Sequence, residues 1–174
     1  MTRFALPLLA IAAIALPASA ALAQRAGTSL RNAQGQAIGE ASAVRAGNVV
    51  RVRVSVHGFA PGVHGVHLHQ AGLCDAPDFA SAGPHWNPGN HQHGRLNPQG
   101  PHLGDLPNLQ VAANGNGRID FAVPVPAGTA AGANPLLDAD GTAVVIHAAA
   151  DDLRTDPSGN SGARIACGVL APVR

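Results

Sequence analysis

The feature that most constrains this chain is a histidine-rich stretch that spans residues 64–105. Seven of the nine histidines in the 174-residue sequence lie in it, among many prolines and glycines. So long a segment without regular periodicity is uncommon in a compact domain unless it is functional and tied down. Imidazole nitrogens are common metal ligands. The stretch therefore predicts a metal site that the rest of the chain supports.

Two pairs of residues in this stretch have chelating spacing. His67 and His69 lie two positions apart on a predicted strand, so their side chains share one face about 7 Å apart along the chain. His102 and Asp105 can turn a ring nitrogen and a carboxylate oxygen toward one ion. His64 has the opposite strand parity, and we expect it to be a hydrogen-bonded structural histidine. An isolated H-x-H pair is more often solvated or part of a core, but the combination predicts a metal site.

Other histidines can complete the ligand set. His85 lies in rigid backbone between prolines, and His147 ends a β-branched run far along the chain. His91 and His93 share one loop, and geometry does not choose between them. Three histidines and one aspartate make a tetrahedral zinc set, and an imidazole-rich site with an open position suits copper. The residues predict a site for two ions, but they do not give the reaction.

The alternation of apolar and polar residues predicts an all-β fold. Over residues 50–56 valines alternate with polar residues, which is the period of a half-buried strand, and His57 falls on its wet side. Two long irregular loops, residues 70–108 and 151–162, interrupt the pattern, and no amphipathic helix is indicated. These features predict a β-sandwich or barrel. The other predicted strands cover residues 28–31, 36–45, 63–69, 117–125, 141–148 and 164–173.

The first 23 residues have the pattern of a secretory signal peptide. Arg3 provides a positive start, Phe4–Leu16 is apolar, and Ala21–Ala23 is a small-x-small cleavage motif, with Ala18–Ala20 as the alternative. The apolar run is interrupted by proline and is short for a membrane span. We expect a mature domain of residues 24–174 that is exported to the periplasm, without stable membrane association after cleavage.

Charge and cysteine content limit the classes of partner and the state of the cysteines that fit this chain. Apart from Arg3, ten arginines balance ten acidic residues, and there is no lysine and no basic patch with aromatics, which argues against nucleic acid as a partner. In an exported chain, Cys74 and Cys167 indicate one intramolecular disulfide, with two free buried thiols as the alternative. Such a bridge would stabilise the fold by about 4–5 kcal/mol in the chain-entropy model.

Six short motifs along the chain contain most of the metal-ligand candidates and one of the two cysteines. They are GVHGVHLH (62–69), SAGPHWNP (81–88), HG (93–94), HLGDL (102–106), VVIH (144–147) and GARIACG (162–168). Together they resemble the motifs of the copper/zinc superoxide dismutase family in its exported bacterial form, and the resemblance covers essentially all of the mature chain. It implies an eight-stranded Greek-key β-barrel or sandwich with two long functional loops.

The resemblance implies a ligand set for each metal. In this set the deprotonated ring of His85 bridges the two ions. The family spacing selects His93 over His91. The implied copper ligands are His67, His69, His85 and His147. The implied zinc ligands are His85, His93, His102 and Asp105.

The resemblance also implies roles for residues beyond the ligands. Asp151 matches a carboxylate that hydrogen-bonds one ligand histidine of each metal and so fixes the rings. Arg164 matches the arginine that lies over the copper and attracts the anionic substrate, since an arginine keeps its charge near neutral pH. Cys74 and Cys167 match the family disulfide, which joins the first loop to the last strand.

The implied activity is the disproportionation of superoxide to O₂ and H₂O₂ by alternating reduction and oxidation of copper. His85 would deliver a proton to the nascent peroxide, and zinc would hold the loop and tune that ring. The alternative is a non-catalytic periplasmic copper/zinc-binding protein on the same fold. The presence of all copper ligands and of Arg164 favours the enzyme. The sequence leaves open whether the protein is a monomer or a homodimer.

The chain departs from the family pattern only at positions that are not ligands. Gln70 stands where many members have glutamate, and Ser158 stands where threonine is common. His91 is an extra histidine in the zinc loop. In place of the family's steering lysines, Arg95 and Arg154 are candidates, with solvated loop arginines as the alternative. These departures bear on the association rate and not on the reaction.

Overall fold

The computed structural model describes residues 25–125, 136 and 140–172. The predicted signal peptide, residues 1–23, lies outside them. Among the described residues the only helix is a 3-10 turn at Ala80–Ala82, and none is long and apolar enough to span a membrane. The strands are β1 (Arg25–Asn32), β2 (Ala37–Ala46), β3 (Val49–Val56), β4 (Gly62–His64), β5 (Val66–His69), β6 (Leu109–Val111), β7 (Gly117–Pro124), β8 (Thr142–His147) and β9 (Arg164–Pro172).

All nine strands form one antiparallel sheet, in the order β4-β6-β7-β3-β2-β1-β9-β8-β5. β4 and β5 lie at opposite ends of this order, although only Gly65 separates them in sequence. The chain therefore joins the two edges and the sheet curls into a nearly closed barrel. Because β6 and β7 lie between β3 and β4, the chain crosses the barrel end as in a Greek key. The all-β prediction is confirmed, and β4 and β5 counted as one bent strand give the predicted eight strands.

The two-residue period of β3 sorts its side chains between the core and solvent. Val50, Val52 and Val54 are fully buried. Arg51 and Arg53 point outward, where both donate to the Asp120 carboxylate of β7, at 2.6 and 2.9 Å. The core is filled by Val, Leu, Ile and Ala, with Trp86 as its largest fully buried side chain. The alternation therefore gave both the strand and its buried face.

The strand predicted over residues 63–69 is in fact two strands, β4 and β5. At Gly65 the backbone leaves the ladder: its N–H donates to Ala149 O and its carbonyl accepts from the His147 N–H. A Cβ at Gly65 would lie 2.9 Å from Ser161 Cβ, so only glycine allows this approach. β6 was not predicted, since three residues are too few to show a period.

The disulfide between Cys74 and Cys167 is present, with the two Cα atoms 5.7 Å apart, which confirms that prediction. Cys74 lies in the first loop (residues 70–108) and Cys167 lies in β9. The bridge therefore fastens the first loop to the barrel. The second loop, residues 151–162, leads directly into β9 at Arg164.

Candidate metal centre

The first loop lies along the free edge of β5. Leu68 N–H donates to Gly104 O, Trp86 N–H donates to Leu68 O, and Gly104 N–H donates to Trp86 O, at 2.7–2.9 Å. These bonds place His85 directly opposite His69, and by the same arrangement Asp105 lies opposite His67. The loop thus delivers its ligand candidates beside the strand that carries the H-x-H pair.

Four buried histidines converge where β5 meets β8 and the first loop. One ligand atom from each lies within 4.8 Å of the others. His67 and His69 come from β5, His147 ends the neighbouring β8, and His85 comes from the first loop. These are the four residues that the family resemblance assigns to copper.

The outer ring nitrogens of this group each meet an acceptor oxygen. His69 Nδ1 lies 2.8 Å from Gly83 O, His147 Nδ1 lies 3.1 Å from Gly162 O, and His67 Nε2 lies 2.8 Å from Asp151 Oδ2. When these nitrogens donate, the other nitrogen of each ring carries a lone pair. This arrangement fixes the tautomer that a metal needs.

The inner nitrogens of the same three rings have no hydrogen-bond partner among the described residues. They are His67 Nδ1, His69 Nε2 and His147 Nε2, and all are buried. A buried polar atom without a partner costs about 1–3 kcal/mol. Three of them in one compact group fit a soft or borderline cation with imidazole ligands, such as copper.

A second group surrounds the Asp105 carboxylate. Its Oδ1 lies 3.0 Å from His85 Nδ1, 3.0 Å from His93 Nδ1 and 3.2 Å from His102 Nδ1. Its Oδ2 accepts the backbone N–H groups of Gly94 and His102, at 2.9 and 3.0 Å. The four residues assigned to zinc by the resemblance are therefore together. The most compact set here contains His67 in place of His102.

The chemistry of this second donor set fits zinc. Three imidazole nitrogens and one carboxylate oxygen are ligands that zinc takes in tetrahedral sites. His85 belongs to both compact groups. The ring centroids of His85 and His67 lie 3.9 Å apart, so the two groups are directly adjacent.

Asp151 joins the two groups from behind. Its Oδ2 faces His67 Nε2 at 2.8 Å, and its Oδ1 faces His93 Nε2 at 3.0 Å. Burial alone would raise the pKa of Asp151, but hydrogen bonds from the two histidines hold it well below its usual range. A Cβ at Gly159, whose φ is +65°, would overlap this carboxylate. Asp151 is thus an ionised and buried carboxylate that connects His67 of β5 with His93 of the first loop.

Asn108, which the motifs did not single out, clamps the backbone of Asp151. Its side-chain amide donates to Asp151 O at 2.8 Å, and its Oδ1 accepts the Asp151 N–H at 2.9 Å. The residue immediately precedes β6, so it joins the end of the first loop to the start of the second. Its contact is with backbone, and no sequence pattern reports it.

The histidines of the first group are held neutral. Burial lowers the pKa of His67 to about 3, of His69 to about 2 and of His147 to about 4. For His67 the hydrogen bond to Asp151 offsets part of this effect. Neutral imidazole is the metal-binding form, so these rings are ready to bind a cation at neutral pH.

The second group has the opposite electrostatics. Burial lowers the pKa of His93, but hydrogen bonds to Asp105 and Asp151 outweigh it and raise that pKa to about 9. Although burial opposes it, hydrogen bonds from His102, His85 and His93 hold the pKa of Asp105 far below its usual range. Negative charge therefore dominates here, and without a metal His93 carries the compensating proton.

An open cavity of about 670 Å³ leads to this site. Arg164 lines it together with His85 and His147. The guanidinium is fixed by two donated hydrogen bonds, to Phe79 O and Gly83 O, each 2.7 Å. Burial lowers the pKa of Arg164, yet an arginine stays charged near neutral pH. Since Gly83 O also faces His69, one carbonyl sets the position of the cation relative to the histidine group.

The other residues singled out from the sequence fall in distinct places. His64 lies outside both groups, buried, with Nδ1 2.9 Å from His147 O. His91 also lies outside both groups and is exposed, and it lines the cavity, as do Gln70 and Ser158. The exposed Arg95 and Arg154 are not among the residues that line the cavity. His57 is also exposed and is not among the residues that line this cavity.

Comparison with known proteins gives the family. A family model described as copper/zinc superoxide dismutase matches residues 34–170. "Superoxide dismutase [Cu-Zn] 1" of Aquifex aeolicus is 41% identical over 134 residues, which are 76% of this chain and 79% of the relative. The chain belongs to the copper/zinc superoxide dismutase family. This family resemblance had been inferred from the six motifs, and it is confirmed.

Further relatives agree with this membership. A copper/zinc superoxide dismutase of Caulobacter vibrioides is 42% identical over 134 residues, covering 76% of this chain and 77% of the relative. A solved structure of a SOD-like protein from Bacillus subtilis superposes with a TM-score of 0.75 at 41% identity, covering 83% of this chain and 97% of the other. The family model therefore covers both loops and the strands from β2 into β9.

Proposed function

We propose that this protein is a superoxide dismutase that uses a copper ion and a zinc ion. The single observation that carries this proposal is the set of three buried inner nitrogens without partners, in the histidine group beside the Arg164 cavity. The proposed copper ligands are His67, His69, His85 and His147. The proposed zinc ligands are His85, His93, His102 and Asp105.

The chain's own residues would recruit the substrate. When bound, copper would supply one-electron chemistry, so that one superoxide is oxidised to O₂ and a second takes up the electron and two protons to give H₂O₂. Arg164 presents a fixed positive charge in a cavity that is open to solvent, which favours entry of an anion over a neutral molecule. The Gly83 carbonyl contacts both Arg164 and His69, and so it keeps the positive charge beside the histidine group.

His85 is the proposed proton carrier. Its Nδ1 faces Asp105 and the zinc group, which leaves Nε2 for the histidine group. The residue also lines the cavity, so a proton held at Nε2 can pass to a product there. With His85 Nδ1 and Asp105 Oδ1 both as zinc ligands, the ring would keep its place while the proton is gained and lost at Nε2. This arrangement supports a role in catalysis beyond that of a ligand.

We propose further that residues 1–23 are removed on export and that the mature protein acts in the periplasm. The Cys74–Cys167 disulfide supports this location, because disulfides persist in oxidising compartments. Intact-mass measurement of protein released by osmotic shock should give a chain that starts near Gln24. A full-length chain retained in the cytoplasmic fraction would contradict the proposal.

A non-catalytic metal-binding protein is the alternative function. One relative is described only as a SOD-like protein, so the fold alone does not decide the activity. In this chain, however, all four copper-ligand candidates are brought together and Arg164 lines their cavity. A binding protein has no need of a fixed cation at an open cavity, and this observation favours the enzyme.

The decisive experiment measures superoxide consumption by the purified protein loaded with copper and zinc. We expect copper-dependent activity in the wild type and its loss in His147→Ala, which lacks one inner nitrogen. His57→Ala is the matched control, because His57 is exposed and does not line the cavity. A copper-loaded wild type without activity would establish the binding protein instead.

A further inference from the structure

Asp156 contacts the zinc half of the site, defined as His85, His93, His102 and Asp105, from the second loop. Its Oδ1 accepts the backbone N–H of His93 at 2.6 Å. The same oxygen lies 3.8 Å from His102 Nε2. The carboxylate is half-exposed and lines the cavity. It is not one of the proposed ligands, and no motif assigned it a role.

The ring of His102 lies between two carboxylates. Its Nδ1 is 3.2 Å from Asp105 Oδ1, and its Nε2 faces Asp156. When Nδ1 binds a cation, the neutral ring carries its proton on Nε2, and that N–H is then directed to the side where Asp156 lies. A carboxylate at the outer nitrogen of a ligand histidine fixes the tautomer and increases the basicity of the ring.

His93 has a closer outer carboxylate, since its Nε2 lies at hydrogen-bond distance, 3.0 Å, from Asp151 Oδ1, whereas the 3.8 Å between His102 Nε2 and Asp156 is an electrostatic contact. By contrast, the outer nitrogens of His69 and His147 face the backbone carbonyls of Gly83 and Gly162. Both His93 and His102 of the zinc half therefore have a carboxylate at the outer nitrogen, whereas among His67, His69 and His147 only His67 has one, which is Asp151. Carbonyls orient a ring, whereas carboxylates also strengthen its attraction for a divalent cation.

The backbone before Asp156 is held by a network around Asp152. The Asp152 carboxylate accepts the N–H groups of Arg154 and Thr155 at 2.9 and 2.8 Å. It also accepts the Thr155 hydroxyl and the Asn160 amide, at 2.6 and 2.9 Å. The carboxylate of Asp156 is therefore presented from an organised loop and not from a free surface side chain.

We propose that Asp156 is a positioning residue for zinc. It holds the backbone of His93 by a hydrogen bond and places a negative charge 3.8 Å from His102 Nε2, so the second loop contributes to zinc affinity through two ligands at once. This inference rests on the proposed zinc site. It predicts a selective effect, because neither contact of Asp156 reaches His67, His69 or His147.

The test compares metal affinities of the metal-free chain, measured by chelator competition for zinc and for copper. Asp156→Asn keeps an acceptor oxygen for His93 and removes the charge, and we expect its zinc affinity to fall about tenfold. Asp156→Ala also removes the acceptor, so its zinc affinity should fall further. Copper affinity should stay within about twofold in both variants. Asp75→Asn is the matched control, since it makes the same change at an exposed carboxylate of the first loop that does not line the cavity.

Cobalt bound in place of zinc gives a second readout, because its visible absorption reports the ligand geometry. We expect altered bands in Asp156→Ala and unaltered bands in Asp75→Asn. Zinc affinities of both Asp156 variants equal to the wild type would overturn the inference, as would equal losses of zinc and copper. A wild type that does not bind zinc would instead refute the proposed zinc site.

Discussion

The two halves of the site are held by different parts of the fold. In the copper half, defined as the proposed copper ligands His67, His69, His85 and His147, the first two lie on β5 and the last ends β8, so the sheet register sets three of the four rings. In the zinc half, every ligand candidate comes from the first loop, residues 70–108. A strand fixes its side chains through its own ladder, whereas a loop needs contacts from elsewhere. Asp151 and Asp156 of the second loop provide those contacts.

The two halves also differ in charge. The copper half consists of neutral rings whose pKa values are lowered by burial. The zinc half contains the ionised Asp105, and the pKa of His93 is raised because two carboxylates face it. We infer that copper enters a preformed set of lone pairs, while zinc replaces a proton that already balances negative charge.

The largest effect should come from a change in the charge of Arg164 at the cavity. This charge is expected to act on the copper half alone. Arg164→Glu is expected to retain both metals and to lower the rate constant for superoxide about 100-fold, because an attractive charge becomes a repulsive one. The rate of the variant should rise with ionic strength as the repulsion is screened, whereas that of the wild type should fall. Pulse radiolysis at several salt concentrations measures both.

Arg95→Glu is the matched control for that experiment. It makes the same change of charge on an exposed loop arginine that is not among the residues lining the cavity. We expect a change of less than about threefold, since charges in solvent are screened within about 10 Å. If the two variants lose activity equally, net charge steers the substrate and the fixed position of Arg164 has no special part in it.

An intermediate effect should come from the group that connects the halves. Asp151→Asn keeps the shape of the side chain but removes the charge that faces both His67 and His93. We expect copper and zinc affinities each to fall about tenfold, the lower end of the usual effect of removing such a partner. Chelator competition measures both. This double loss contrasts with the selective loss expected for Asp156→Asn. A loss confined to one metal would mean that Asp151 supports the ligands of that metal only.

The sequence predicted the fold and the ligand candidates, because both leave local patterns. The alternation in β3 and the H-x-H spacing in β5 each need only a few neighbouring residues. The choice of His93 over His91 needed the family resemblance, and the structure agrees with it in that His93 is fully buried against Asp151, whereas His91 is exposed. The roles of Asn108 and Asp156 could not be predicted, since each depends on contacts with backbone groups at least 40 residues away.

The smallest effect we expect is on the stability of the metal-free protein as a function of pH, and it separates the halves without any mutation. The pKa of His93 rises from 6.5 to about 9 on folding, so its contribution is complete below pH 6.5 and is lost as the pH rises through 9. The pKa values of His67 and His147 fall from 6.5 to about 3 and 4, so their contribution is complete above pH 6.5 and is lost on acidification. The metal-free protein should therefore be most stable near pH 6.5.

The alkaline side of this profile reports on the zinc half, since the sequence has no lysine or tyrosine and both cysteines are in the disulfide. We expect the free energy of unfolding in urea to fall by on the order of 1 kcal/mol between pH 6.5 and 9, as His93 loses its proton. His93→Gln should flatten this side, and so should bound zinc, which takes the place of the proton. Equal stability of the metal-free wild type at pH 6.5 and 9 would show that the carboxylates of Asp105 and Asp151 do not hold a proton on His93, and the electrostatic contrast between the halves would then be lost.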